Sequence, residues 1–371
     1  MRIAIDIRKL HDFGIGTYIR NLLRHLARLD RQSEYVLFCY PEDSASVREL
    51  GPNFQTIPNR SAHYSLGEQL SLPLAAARAK VDVYHAPHYV LPIFSPGHQV
   101  VTIHDCIHLM FPEYLPYRLG KGYARTMMYS ATRRADRILT VSESSKRDIL
   151  RFFPVKPEKI SVIYNAIDEQ FRVPPTEEAI ERVRERYQLT GPFVLYVGNV
   201  RPHKNVERLI EAFALLRRKA PDGLKLVIIG DQITKFQTLR RAVHRHKLHK
   251  HVRFLGFVPD DTLSVLYRLA GVFVFPSLYE GFGLPPLEAM ACGAPVITSN
   301  MSSLPEVVAD AALLVDPHSS EAIADAILKV LTDSTLASCL RAKGFARTQD
   351  FSWERSVART LEIYREVAQA R

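Results

Sequence analysis

Short apolar runs alternate along this chain with longer stretches whose apolar positions recur every three or four residues, the signature of strand followed by helix. Residues 3–7 read as a strand, 17–29 as an amphipathic helix and Glu34–Cys39 as a second strand. Further strands are expected at 81–85, 99–103, 137–141 and 160–164, with a helix over 142–152 that Ser142 caps. A second series follows. Strands are expected at Phe193–Val197, Lys225–Ile229, 252–254, Val272–Phe275, 295–298 and 311–315. Helices are expected at 206–219, 237–244, from 287, at 321–332 and at 336–345, and the final stretch from Phe351 to Tyr364 has helical periodicity. Alternation of this kind implies parallel sheets covered by helices on both faces, an α/β protein.

The proline-containing stretch from Phe171 to Glu178 separates the two series. It places an N-terminal Rossmann-like domain at 1–172 and a C-terminal one at 173–351, and 371 residues suffice for two such domains. Ligands in such sheets lie at the carboxyl ends of strands, so loops that follow strands are where chemistry is sought.

The richest of these loops runs from Ser277 to Pro295. It carries Glu280, Gly281, Phe282, Gly283, Leu284, two prolines and Glu288 between a buried strand and a helix start. Backbone amides and the positive end of a helix suit an anion there, and the two glutamates can accept hydrogen bonds from sugar hydroxyls beside it. A nucleotide-sugar satisfies both demands. Lys204 and Arg201 follow the strand Phe193–Val197 and are suited to neutralise a departing diphosphate. His104 and Asp105 end the strand expected at 99–103. His104 either donates to developing charge or to a sugar hydroxyl, or satisfies a loop carbonyl, and Asp105 reads as a support for local backbone. His85 and His88 also follow a strand, and either the acceptor side or simple loop packing accounts for them. Gly14 and Gly16 follow the first strand at a helix start, where their amides either meet a phosphate or simply open the helix. A dinucleotide fingerprint would need a small residue at position 19, where the chain has Ile19.

The segment from Glu280 to Glu288 resembles the paired-glutamate motif of retaining, nucleotide-sugar-dependent glycosyltransferases of the GT-B fold, family 4. The resemblance extends to Gly14–Gly16, to His104-Asp105 followed by Phe111-Pro112-Glu113, to Lys204-Asn205 and to the stretch 302–306. It implies two Rossmann-like domains facing each other across a cleft, with a last helix, about 352–371, packing back on the first. It implies an acceptor in the N-terminal domain and a nucleotide-sugar in the C-terminal one. Glu288 is then expected on the ribose, Glu280 on the donor sugar, His104 in the active site, Gly16 beside a phosphate, and backbone near Leu255–Val258 on the nucleobase. Members of this kind carry an arginine directly after the glycine, where this chain has Asn199, so Arg201 would substitute from two residues on. The resemblance points to hexose transfer, with mannose from GDP-mannose the leading choice, in bacterial polysaccharide or lipopolysaccharide assembly. The alternatives are a nucleotide-sugar epimerase of the same fold and a non-catalytic partner subunit, against which the intact glutamate pair argues.

Charge and cysteines narrow the setting. A net charge of +10 permits anionic partners and selects none. Basic clusters at 117–134 and 240–250 read either as solvated helix faces or as surfaces for anionic lipid or a lipid-linked acceptor; no nucleic-acid motif accompanies them. Cys39, Cys106, Cys292 and Cys339 form no metal-binding spacing and read as buried free thiols. Without an Asp-x-Asp pair, a metal clamp is not expected and no cofactor is required. No apolar run reaches the roughly 20 residues of a membrane span, and the expected setting is cytoplasmic, with peripheral contact at the inner membrane face.

Overall fold

The structure, a computed structural model, describes all residues except 46, 115–119, 218, 221–222, 231–236 and 371. The chain divides into two compact units, one of residues 1–166 and 352–371, the other of residues 167–351.

The first unit contains β1 (Arg2–Asp6), α1 (Phe13–Leu29), β2 (Glu34–Cys39), β3 (Phe54–Pro58), α2 (Leu66–Arg78), β4 (Val83–Ala86), β5 (His98–Thr102), α3 (Ile107–Met110), α4 (Gly120–Arg134), β6 (Arg137–Thr140), α5 (Glu143–Phe152) and β7 (Ile160–Val162). Its strands form one parallel sheet in the order β3-β2-β1-β4-β5-β6-β7. Ile3 and Ile5 of β1 and Val100 and Val101 of β5 are fully buried, as a sheet covered on both faces requires. Ser142 caps α5, its hydroxyl accepting from the Ser145 N–H at 3.0 Å.

The second unit contains α6 (Glu177–Tyr187), β8 (Phe193–Val197), α7 (Val206–Leu216), β9 (Lys225–Ile229), α8 (Gln237–Arg245), β10 (Val252–Gly256), α9 (Asp260–Leu269), β11 (Val272–Phe275), α10 (Leu284–Ala291), β12 (Val296–Ser299), α11 (Leu304–Val308), β13 (Leu313–Val315), α12 (Ser320–Thr332) and α13 (Ser334–Thr348). Its parallel sheet has the order β10-β9-β8-β11-β12-β13. In each sheet the order reverses once, between β1 and β4 and between β8 and β11. A parallel α/β sheet opens its ligand crevice at that reversal.

The last helix, α14 (Trp353–Gln369), belongs to the first unit and packs on α1. Tyr18 of α1 meets the Trp353 ring edge-on at 6.2 Å. The Tyr364 hydroxyl shares a 2.6 Å hydrogen bond with His85 Nδ1, while His85 Nε2 meets Thr102 Oγ1 at 2.8 Å. His85 is thus a core residue tying α14 to the sheet. Burial pushes its pKa down to about 3, so it stays neutral.

Several elements depart from the sequence-based expectation. β3, α2, α4, α6 and α9 are not among the expected elements. β3 is a short strand ending on a proline at the sheet edge. α2 has Pro73 in its interior and leucines on its solvent side, which hides its inner face. Helix α1 starts at Phe13, four residues before the expected Thr17, so Gly14 and Gly16 lie in its first turn. Cys339 is exposed on α13, whereas the other three cysteines are buried as expected; all four are free thiols. No helix of the described residues is long and apolar enough to cross a membrane.

Candidate active site

At the β8/β11 reversal two loops converge. After β8 the chain passes Gly198 and makes a single 3-10 turn, Pro202–Lys204, before α7. After β11 it runs through 276–283 into α10. The loops are stitched together by backbone and amide contacts. The Leu278 N–H donates to the His203 carbonyl at 2.7 Å, and the Asn205 amide donates to the carbonyls of Pro276 and Pro317 at 3.1 and 2.7 Å. Asn205 can do this because it occupies the left-handed region, φ +60°, which asparagine tolerates better than most residues.

This scaffold aims the Lys204 ammonium at Glu280. Nζ lies 2.6 Å from Oε1, and both side chains are largely shielded, with 13% and 11% exposure. Nζ also stands 5.4 Å from the centre of the Phe275 ring. The loop bearing Glu280 is held by two serines beyond β12. Ser302 Oγ accepts from the Glu280 N–H at 3.2 Å and donates to its carbonyl at 2.6 Å, and Ser303 Oγ contacts the carbonyls of Glu280 and Phe282 at 3.0 and 2.8 Å. These clamps were not legible as such: serines in a sequence do not reveal which carbonyls they reach.

Gly283 caps α10 with φ +106°, and a Cβ there would lie 2.7 Å from Leu304 Cδ2. Glycine is therefore demanded twice, by backbone angle and by space. Phe282 is buried against Phe351, edge-on at 5.6 Å, so it supports the loop from below. The helix start offers fewer amides than its sequence position suggested. Pro285 and Pro286 occupy two of the first four donor positions, which leaves the N–H groups of Gly283 and Leu284. Positive charge at this crevice thus comes chiefly from Lys204.

Glu288, one turn into α10, is half-buried and accepts a hydrogen bond from the Tyr267 hydroxyl of α9 at 3.0 Å. Burial pushes its pKa up to about 7. The Tyr267 bond opposes that shift, and the charges of Asp260 and Asp168 add to it. Nothing in the sequence marks Tyr267, since a tyrosine inside an apolar helix pattern looks like core. Arg201 is exposed and lines a different hollow of about 240 Å³, with Thr238 and Leu239 of α8. Gly256 ends β10 at φ +70° and the following Phe257 is exposed. Asp231, next to Gly230 at the end of β9, lies outside the described residues, as do Tyr117 and Arg118 of the first basic cluster.

The first unit has its own reversal, between β1 and β4, and a small cavity of about 20 Å³ there, room for about one water. Arg8 closes one wall: Nε and Nη2 fork onto Asp6 at 2.8 and 2.7 Å, and Nη2 also reaches Glu68 of α2 at 2.9 Å. Lys9, His63, Tyr64 and His88 complete it. Burial alone would lower the Arg8 pKa, but the two carboxylates outweigh it and hold the guanidinium charged. The only hint of this cluster in the sequence was charge directly after the first strand. His88 therefore faces a cavity, unlike His85.

His104 follows β5 in the same unit. Its Nε2 donates to the Pro87 carbonyl at 3.0 Å, and its ring stands edge-on to Tyr18 at 5.0 Å. Burial lowers its pKa, so the ring is neutral and presents Nδ1 as an acceptor. The expected donor role would draw on the Nε2 proton, which the Pro87 carbonyl engages here. Asp105 accepts from the Ile107 N–H at 2.9 Å, the backbone support expected of it. Gly16 is buried, its N–H donates to the Asp12 carbonyl at 2.6 Å, and a Cβ would collide with the Leu10 carbonyl. Close packing alone accounts for glycine there. Among the described residues no cluster of metal-ligating side chains occurs.

Doubly wound sheets with a lysine–glutamate pair and a second glutamate at one reversal define a class, the nucleotide-sugar-dependent glycosyltransferases of the GT-B fold. Comparison with known proteins agrees. The family described as "Glycosyl transferases group 1" matches residues 178–347, and "Glycosyltransferase Family 4" matches residues 14–171. O-antigen chain mannosyltransferase B of Escherichia coli is 36% identical over 76% of this chain and 74% of its own length. O-antigen chain mannosyltransferase RfbU of Salmonella typhimurium is 31% identical over 88% of this chain and 90% of its own. Among solved structures, sucrose-phosphate synthase from Thermosynechococcus elongatus superposes with a TM-score of 0.80 at 23% identity, covering 99% of both chains, and so shares the fold. The chain belongs to the group 1, family 4 glycosyltransferases.

Proposed function

We propose that this glycosyltransferase moves a mannosyl group from GDP-mannose to a saccharide, free or lipid-linked, during bacterial O-antigen or related polysaccharide assembly. The observation that carries the donor site is the Lys204–Glu280 pair at 2.6 Å on the β8/β11 reversal, with Glu288 on the adjoining helix. Support for mannose is that both relatives above are mannosyltransferases.

In this reading the Lys204 ammonium meets the diphosphate, aided by the Gly283 and Leu284 amides. Glu288 accepts from the ribose hydroxyls and Glu280 from hydroxyls of the hexose. Gly281 and Phe282 shape the loop against the sugar, and Arg201 adds charge at the rim. In the N-terminal unit, which takes the acceptor, His104 accepts from a sugar hydroxyl.

The anomeric carbon loses its bond to the phosphate oxygen while the acceptor oxygen bonds to it. The acceptor oxygen attacks from the face the phosphate leaves, so configuration is retained, and the acceptor proton passes to the departing phosphate. Negative charge grows on the leaving oxygen as the bond breaks, which is where a fixed cation is most effective.

A thermal-shift panel of GDP-, UDP- and ADP-sugars tests the donor. GDP-mannose should stabilise the protein most, and a larger shift with a UDP- or ADP-sugar would reject the choice of donor.

A further inference from the structure

Tyr64, in the loop joining β3 to α2, is held at a backbone angle that bulky residues avoid. Its φ is +64°, in the left-handed region. Buried ionic groups keep it there. Glu68 Oε1 accepts from the Tyr64 N–H at 2.7 Å, while the other oxygen of Glu68 is held by Arg8 Nη2. Arg8 also braces the loop itself, its Nη1 donating to the Ser61 carbonyl at 2.9 Å. The Arg8 and Glu68 side chains are only 1% and 2% exposed, and burying such a pair costs desolvation. Two unfavourable features thus meet at one residue, and its ring is nonetheless 43% exposed. Core packing calls for no such combination.

The ring belongs to an aromatic wall at the β1/β4 reversal. Tyr123 of α4 and His88 after β4 meet it edge-on, each at 5.9 Å, and Tyr89 stacks alongside at 6.4 Å. His88 Nδ1 and the Tyr123 hydroxyl are buried without a hydrogen-bond partner among the described residues, a condition that buried polar atoms seldom tolerate. Tyr64, His88 and Pro87 line the small cavity beside Arg8, and the Pro87 carbonyl is the one to which His104 donates. A cavity with room for about one water has room for one hydroxyl.

Charge selects the ligand class. Both cations lining the cavity are already paired, Arg8 with Asp6 and Glu68, and Lys9 with Asp12 at 2.7 Å. An anionic group would find no spare cation among them. Burial, helped by the charge of Lys9, lowers the pKa of His63 and His88, so both rings are neutral. A second cation is opposed by the Lys9 ammonium, which stands 5.2 Å from the centre of the Tyr64 ring. What remains is an uncharged molecule with apolar faces edged by hydroxyls, which describes a pyranose.

We infer that Tyr64 is the stacking platform for an uncharged sugar ring of the acceptor, one hydroxyl of which enters the cavity toward His88 Nδ1. Tyrosine suits this because its ring offers an apolar face and a polar tip, and a hydroxyl can bond Nδ1 in either tautomer of the imidazole. Arg8 and Glu68 act through Tyr64 as positioning residues. The inference rests on the reading that the N-terminal unit takes the acceptor, and it names what that unit recognises.

Saturation-transfer NMR of the full chain with GDP present tests it, using methyl hexosides and mannobioses as uncharged ligands and a mannose phosphate as the anionic one. An uncharged saccharide should bind more tightly than the phosphate, with saturation strongest on the C–H protons of one ring face. Y64A and Y64G should each weaken that binding about tenfold, and Y64F should keep it within about threefold, since the ring supplies the contact. Glycine is at ease at φ +64°, so Y64G should also keep its circular-dichroism melt within a few degrees. A large fall would overturn the assignment by marking the tyrosine as structural. The thermal shift of each variant with GDP-mannose reports the donor unit separately. Equal saccharide binding by folded Y64G, or a preference for the mannose phosphate, would overturn the role of Tyr64 and leave the acceptor in this unit. No saccharide binding by the wild type, with its GDP-mannose shift intact, would overturn the acceptor reading and this inference with it.

Discussion

The Lys204 ammonium has one carboxylate, Glu280, within 2.6 Å, and a nucleoside diphosphate would bring further negative charge to it. Lys204→Ala should therefore lower kcat/KM by about 100- to 1,000-fold, in line with removal of one charge-stabilising group. The circular-dichroism melting temperature should fall by only a few degrees. Equal losses of binding and folding would instead mark the pair as structural. Glu288 makes the second residue-scale prediction. Its free value near 4.5 is raised to about 7, and the form that accepts from ribose is the carboxylate. GDP-mannose, which does not itself titrate near neutrality, should bind weakly below pH 7 and reach a plateau above it, with roughly tenfold lower affinity at pH 6. Calorimetry of E288Q should show weak binding and a flat profile from pH 6 to 8; a retained slope would assign the titration elsewhere. Glu280 and Glu288 could be singled out in the sequence because they share one contiguous loop, and Lys204 because it lies in its own short motif after a strand. Tyr267 and the Asp6–Arg8–Glu68 cluster could not, since contacts 21 and 60 residues apart depend on the fold.

Among elements, α10 and α14 bear the most weight. Gly283→Ala must force φ away from +106° or press its methyl on Leu304. A loss of about 1–3 kcal/mol in urea denaturation is expected, together with weaker donor binding. An unchanged midpoint would show that α10 tolerates another cap. Helix α14 is anchored through Tyr364 to His85. Tyr364→Phe leaves His85 Nδ1 without its partner and should cost about 1–3 kcal/mol, with kcat little changed. Strands β2, β8, β9 and β11 stood out as apolar runs bounded by turn residues, and their limits coincide with the expected ones. Helix α2 did not, because its leucines face outward and the usual inference from apolar spacing to burial fails there.

At the scale of the whole molecule, two doubly wound sheets each place their candidate groups at the strand-order reversal. The fold class followed from the alternation of strand and helix patterns alone. The last helix could be assigned to the first unit only by resemblance, because periodicity does not say what a helix packs on. In the proposed reaction Lys204 and backbone dipoles carry the charge of the leaving group. Transfer from GDP-mannose should thus persist in EDTA, followed as radiolabel incorporated into acceptor. Loss of activity restored by magnesium or manganese would require a cation in the mechanism.

The most direct test is a crystal structure of the protein with GDP-mannose. The account predicts the diphosphate in contact with the Lys204 ammonium and the ribose hydroxyls on the Glu288 carboxylate. A well-ordered nucleotide bound elsewhere, away from residues 280–288, would contradict it.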